Sequence, residues 1–275
     1  MLKINILSAS HYEPFKAQWN KSMFPENEYY IRENSLEDID WDIVVVYENI
    51  KNTLSIKCRK GHLIYFAGEP PMMRPLPNRF IAQFDEIFVP NIKSKHERKH
   101  LSHGFLNWSL GVNFRTKEHK YTYEDIKNWK PQKNKIISIV TSNKKMMPGH
   151  NKRMLFIKKL MSDFPGQIDF YGAGHNQVDF KADALLPYKF HICLENSDIP
   201  YYWTEKFSDP LLAKCVPIYC GCTNLSEYFD ENGYISFSYD DYDSLRARLI
   251  KIFADPESEY ESFRPYMEAN RLKLM

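Results

Sequence analysis

The hydrophobic positions of this chain fall into short runs separated by polar stretches. Leu2 to Leu7 (LKINIL), Trp41 to Tyr47 (WDIVVVY), His62 to Ala67 (HLIYFA) and Glu86 to Val89 (EIFV) are rich in β-branched or aromatic side chains. A nearly continuous apolar run such as WDIVVVY is expected of a strand covered on both faces. Gly68-Glu69-Pro70-Pro71 and Pro90 stop two of these runs, and helices and loops, such as 12–22, are expected between them. A second series begins at Lys135 to Thr141 (KIISIVT) and continues at Ile168 to Tyr171, Phe190 to Leu194, Val216 to Tyr219 and Tyr234 to Phe237. Asn151 to Phe164 reads as a helix with Met154, Leu155, Ile157, Leu160 and Met161 on one side. Further helices are expected over 203–214, 241–253 and 256–270. This alternation predicts an α/β protein with helices on both faces of its sheets. The polar, Lys-rich stretch 115–135 is the linker candidate, dividing the chain into units 1–130 and 131–275.

Composition narrows the class. With 43% hydrophobic and 26% charged residues among 275, the chain matches a folded protein and not a disordered one. No apolar run is long enough to cross a bilayer, and Met1 to Leu7 is too short an apolar stretch for an export signal. Five cysteines (Cys58, Cys193, Cys215, Cys220 and Cys222) are an odd number, which favours reduced thiols and a cytoplasmic location. The net charge of +2 hides an asymmetry: residues 91–160 hold 17 Lys and Arg against 4 Asp and Glu. A basic middle suits an anionic partner, which could be nucleotide phosphates, nucleic acid or an acidic membrane surface, or it is simply a solvated face. No nucleic-acid motif accompanies the charge.

His96-Glu97-Arg98-Lys99-His100 matches the H-E-x-x-H zinc-protease pattern. That chemistry needs two imidazoles on one face of a buried helix, whereas this segment is heavily charged and its extended pattern fails, with His103 at the glycine position. A zinc hydrolase is therefore a minor alternative, beside a basic nucleic-acid-binding protein.

The block 188–221 carries more. A strand ending in Glu195-Asn196-Ser197 is followed by a loop with Tyr201, Tyr202 and Trp203, then Thr204-Glu205-Lys206 opens a helix, and Val216-Pro217-Ile218-Tyr219-Cys220-Gly221 makes the next strand and turn. Thr204 can cap that helix, its free N–H groups face an anion, Lys206 can neutralise a phosphate, and Glu205 can accept from ribose hydroxyls. By themselves these three residues fit a capped surface helix with a solvated ion pair more readily.

The whole block resembles the donor-binding pattern of the family 10 glycosyltransferases, the α-1,3/1,4-fucosyltransferases. The shared elements are Tyr188-Lys189-Phe190, Glu195-Asn196-Ser197, Tyr202-Trp203-Thr204-Glu205-Lys206 and Val216-Pro217-Ile218-Tyr219-Cys220-Gly221. The resemblance covers roughly 135–253. It implies a GT-B architecture of two Rossmann-like domains facing across a cleft, with an acceptor-binding unit 1–130 and a donor-binding unit 131–275. It implies inverting transfer of L-fucose from GDP-β-L-fucose to a glycan hydroxyl. By the same resemblance Glu69 is the general base, and Arg153, Glu195, Asn196, Tyr202, Thr204, Glu205 and Lys206 bind the donor. Arg153 follows the pair Ser142-Asn143, with Lys152 as the neighbouring alternative. The partners are then a GDP-sugar and an oligosaccharide acceptor, without nucleic acid, and the basic residues 91–160 suggest peripheral contact at the inner membrane face. No obligatory cofactor or metal is expected, a divalent ion being at most stimulatory; Asp240-Asp241-Tyr242-Asp243 reads as a helix cap. Pro210 departs from the pattern and is expected to kink or restart the helix, with Asp209 as a new cap.

Overall fold

Two parallel sheets organise the computed structural model, which describes residues 1–9, 18–70, 75–90, 92–105, 108–113, 115–116, 118–141 and 148–275. The first carries β1 (Leu2–Leu7), β2 (Tyr29–Glu33), β3 (Ile43–Tyr47), β4 (Leu63–Phe66), a one-turn helix α1 (Asn78–Ile81), β5 (Glu86–Val89) and β6 (Lys99–Leu101). Its strand order is β2-β1-β3-β4-β5-β6, parallel throughout. Leu7, Val46, Tyr65 and Ile87 lie in one row across four strands and are all buried. That row is the centre of this unit's core, joined by Trp41, Ile81 and Phe84.

The second sheet follows α2 (Tyr123–Asn128) and contains β7 (Lys135–Val140), α3 (Pro148–Asp163), β8 (Ile168–Tyr171), β9 (Tyr188–Leu194), α4 (Glu205–Leu212), β10 (Val216–Cys220) and β11 (Ile235–Ser236), and α5 (Tyr242–Ala254) and α6 (Pro256–Leu272) close the unit. The order β8-β7-β9-β10-β11 repeats the first sheet's pattern, with a reversal of winding beside its first strand. Phe170, Ile139, Ile192, Ile218 and Ile235 form a row across all five strands. Every residue of β9 is buried, as a central parallel strand requires. Among the described residues no helix is long and apolar enough to cross a membrane.

The strands expected from the apolar runs are present. β2 and β6 have no such runs because each is a sheet edge, where polar and charged residues (YYIRE, KHL) guard unpaired backbone groups. The helix-or-loop stretch 12–22 falls largely outside the described residues, and Lys21–Met23 forms a single 3-10 turn. In α3 the buried side is Phe156, Ile157 and Leu160, continued by Phe164 beyond its end, while Leu155 and Met161 are exposed; the apolar stripe lies one residue round the helix from the expected one. The expected break in α4 is absent: the helix runs continuously with Pro210 inside it, and Asp209 serves a buried contact described below.

The domain boundary also differs. The compact units are 1–107 with 199–204, and 108–198 with 205–275, so the 130/131 division falls inside the second unit. Residues 115–135 do not form a free linker. Thr122 and Asp125 close a capping box on α2, which buries Ile126. The buried Arg271 donates to the carbonyls of Ile126, Lys127 and Leu212 at 2.7, 3.1 and 3.2 Å. One guanidinium thus satisfies the open C-terminal carbonyls of α2 and α4 together.

In the first unit His103 stacks on Trp203, with ring centroids 4.2 Å apart, and its Nδ1 accepts from Phe105 N–H. Burial lowers the imidazole's pKa to about 4. The unfolded chain takes up that proton near 6.5, so the stability His103 contributes is complete above pH 6.5 and is lost as the pH falls towards 4. Relative to His103→Phe, the wild-type denaturant midpoint should drop across this window; a constant gap between the two would contradict the assignment.

Candidate active site

In an open parallel sheet, ligands bind beyond the carboxyl ends of the strands where the winding reverses. In the second unit that point lies between β7 and β9, and a cavity of about 620 Å³ opens there. Thr141 follows β7, and Arg153 comes from the second turn of α3. Lys181 stands in the β8–β9 connection, His191 on β9, and Glu205 and Lys206 at the start of α4; all six line the cavity. Gly172, after β8, has φ +105°, and a Cβ there would collide with the Thr141 carbonyl oxygen. The glycine lets the ends of β7 and β8 approach closely.

The cavity's cations are held in different ways. Arg153 is 7% exposed. Its Nη1 makes one long bond of 3.4 Å to Asn196 Oδ1, and its Nε is buried without a hydrogen-bond partner, as are Thr141 Oγ1 and Tyr239 Oη. Burial lowers the Arg153 pKa and the neighbouring Tyr239 opposes that. Lys206 Nζ lies 3.2 Å from Glu205 Oε1 and 3.5 Å from Glu195 Oε2, and the Glu195 side chain is fully buried. Gly221 makes room for that carboxylate, since a Cβ at 221 would meet Glu195 Cγ and Tyr219 Oη.

Behind these residues lies a polar layer. Ser138 Oγ donates to the Ala184 carbonyl at 2.6 Å and lies 2.8 Å from His191 Nδ1. A hydroxyl has one hydrogen, so Nδ1 carries the imidazole proton and donates to Ser138. Burial, reinforced by Lys181 and Lys133, holds His191 neutral with a strongly lowered pKa. Lys181 Nζ reaches Asp209 Oδ2 at 2.8 Å, with both side chains almost or fully buried. Burial raises the Asp209 pKa to about 6 in spite of that ammonium.

Comparison with known proteins decides the family. Residues 130–274, more than half of the chain, match the model described as glycosyltransferase family 10 (fucosyltransferase), C-terminal. The chain belongs to this family. It is 32% identical over 105 residues to a fucosyltransferase-like protein of Arabidopsis thaliana, and 29% identical over 129 residues to alpha-(1,3)-fucosyltransferase B of Drosophila melanogaster. These stretches cover 36% and 40% of the chain, but only 20% and 28% of the relatives' lengths. A crystal structure of alpha1,3-fucosyltransferase superposes with a TM-score of 0.56 at 17% identity, covering 95% of this chain and 81% of that one. The crystal structure of alpha1,3-fucosyltransferase with GDP-fucose gives the same TM-score at 19% identity, with coverages of 95% and 80%. The α/β architecture is therefore that of the GT-B fucosyltransferases.

Of the family-10 positions expected to bind the donor, Arg153, Glu205 and Lys206 line the cavity. Glu195 and Asn196 meet Lys206 and Arg153 from the end of β9. Tyr202 and Thr204, 0% and 2% exposed, group with the first unit and are not among the residues that line the cavity; Tyr201 between them and β9 has φ +65°. Glu69 also stands in the first unit, after β4, and both its amide and that of Gly68 donate to Glu48 Oε1. Ser142 and Asn143 lie outside the described residues. The H-E-x-x-H segment is not helical: Lys99–Leu101 is a strand, His100 Nε2 pairs with Glu86 at 2.9 Å and His96 Nε2 with the Phe84 carbonyl at 3.0 Å. Sequence reasoning missed Thr141, Lys181, His191, Asp209 and Tyr239. None of these belongs to a spaced motif, and the only signal was the polarity of Ser138 and His191 inside otherwise apolar strands.

Gly172→Ala should lower stability by about 2 kcal/mol or more, combining strain at positive φ with the collision at Thr141. Urea unfolding would show a lower midpoint with unchanged slope; an unchanged midpoint would mean that the strand ends separate at no cost.

Proposed function

We propose that this chain is an inverting fucosyltransferase that moves L-fucose from GDP-β-L-fucose to a hydroxyl of a glycan acceptor, forming an α-1,3 or α-1,4 linkage. The observation that carries this reading is the pair of unsatisfied buried groups lining the cavity at the β7–β9 switch point, Arg153 Nε and Thr141 Oγ1, with Tyr239 Oη, near Arg153, likewise unsatisfied, in the family-10 unit that also presents Lys206. A buried polar group left unpaired costs about 1–3 kcal/mol, and a diphosphate offers oxygens in the number and charge that would satisfy these groups. Solved structures of alpha1,3-fucosyltransferase with GDP and with GDP-fucose support a guanine-nucleotide donor.

In the proposed reaction the acceptor oxygen attacks fucose C1 as the bond from C1 to the β-phosphate oxygen breaks. The bonding pair leaves with GDP, and the acceptor proton passes to Glu69. Attack from the face opposite the leaving group turns the β-donor into an α-product, through an oxocarbenium-like transition state. Arg153 and Lys206 stabilise the charge that develops on the departing diphosphate. The carboxylates of Glu195 and Glu205 hold Lys206 in place until that charge arrives. Glu69 is aimed by its own backbone, because Pro70 restricts it to extended conformations and Glu48 fixes its amide. Divalent cations enter as stimulators only.

GDP and GDP-fucose should raise the melting temperature, adding about 2.7 kcal/mol at 100-fold excess over Kd, whereas UDP- and CMP-sugars should not. Arg153→Ala and Lys206→Ala should weaken GDP binding far more than guanosine binding in calorimetric titrations. Stabilisation by uridine but not guanine nucleotides would remove the donor assignment.

Glu69→Gln should reduce kcat by about 10²–10⁴-fold, the usual worth of a positioned base, with GDP affinity unchanged. Near-wild-type turnover at saturating acceptor would move the base to another carboxylate.

A further inference from the structure

Helix α4 has only eight residues (Glu205–Leu212), with Pro210 inside it. Pro210 has no N–H to close onto the Lys206 carbonyl, so the turn that presents Glu205 and Lys206 is weakly stapled from within. It is held from outside. Lys181 Nζ donates to the Glu205 carbonyl at 3.2 Å and to Asp209 Oδ2 at 2.8 Å, gripping the first residue of the helix and the residue one turn beyond it. Asp209 in turn accepts from Ser109 N–H with both oxygens, each at 3.1 Å. The Lys181 side chain is 6% exposed and that of Asp209 is 0%.

A buried ion pair is a poor choice if stability alone is needed. Desolvation offsets most of the attraction, and well-packed apolar residues of similar volume are often neutral or stabilising replacements. What the pair supplies is placement, since an ammonium with two fixed acceptors on one helix sets both the height and the rotation of that helix. We infer that Lys181, acting with Asp209, is a positioning residue for the diphosphate contact: it fixes the first turn of α4 so that Lys206 enters the cavity from between Glu195 and Glu205. This rests on the donor reading proposed above. Lys181 acts through Lys206.

The test uses the whole chain. Lys181→Met leaves Asp209 buried without its ammonium, so the double variant Lys181→Met, Asp209→Asn is made beside it: the amide is neutral and its Oδ1 still accepts from Ser109 N–H. The double variant should melt within a few degrees of wild type. It should nevertheless lose about tenfold in GDP affinity, the value of one charge-assisted contact, and keep guanosine affinity within about twofold. Amide exchange at Phe207 and Ser208 should quicken about tenfold while exchange in β9 stays unchanged. GDP affinity within twofold of wild type in a folded double variant would overturn the inference, as would parallel losses of GDP and guanosine, which would mean general support of the cavity. Unchanged exchange in α4 would overturn it whatever the ligand. Failure of the wild-type chain to bind GDP would instead overturn the donor reading, and the exchange measurement would still decide whether Lys181 positions the helix.

Discussion

Strand β9 buries all seven of its residues, and this constraint governs where polar chemistry can stand. A strand flanked by parallel neighbours and covered on both faces reaches solvent only at its ends. Charge that is to meet a ligand therefore has to collect beyond the carboxyl ends of β7, β9 and β10. Thr141, Glu195, Asn196 and Gly221 all occupy such positions. Helices α3 and α4 bring Arg153 and Lys206 to the same edge. Where a polar side chain does stand inside the sheet, it is fully engaged, as Ser138 and His191 are with each other and with the Ala184 carbonyl.

Two modes of holding a cation coexist at that edge. Lys206 is matched by two carboxylates before any ligand arrives, so it is electrostatically stable at rest and geometrically defined. Arg153 is the opposite case, nearly buried and with a donor unmet. Burial without full pairing raises the energy of the empty site, and an incoming anion recovers that energy on binding. In the proposed donor reading the acids fix the geometry of Lys206, and Arg153 is the cation that gains most from an arriving anion.

The central strands were legible because burial on both faces demands apolar runs, and WDIVVVY and KFHICL are such runs. The first sheet's edge strands β2 and β6 were not, because their polar, exposed residues make no apolar run, whereas the second sheet's edges β8 and β11 kept enough apolar residues to be read. The Glu195-Asn196-Ser197 and Thr204-Glu205-Lys206 groups stood out only through the resemblance of the whole block 188–221 to the family-10 pattern. Within those groups the sequence does not tell which side chains line the cavity, as Glu205 and Lys206 do, because that depends on the path of the loop before α4. Lys181 was invisible for a different reason. One lysine among DFKADALL has no pattern, and its meaning comes from Asp209, 28 positions later, meeting it across the fold. Residues 108–130 group with the second unit because Leu110 and Ile126 join its core and Arg271, far along the chain, caps α2, which no local pattern announces.

The segment 199–204 is inserted into the sequence of one unit while belonging to the other. Trp203, stacked on His103, is made long after the rest of its own core. During synthesis the first unit leaves the ribosome with that aromatic surface open, and the nascent chain must extend about a hundred residues further before the tryptophan can close it. The amino-terminal half therefore does not mature first and wait for its successor. Its completion is timed by the emergence of the strand and loop that precede α4, and a polypeptide cut near 107 would separate His103 from the ring that covers it.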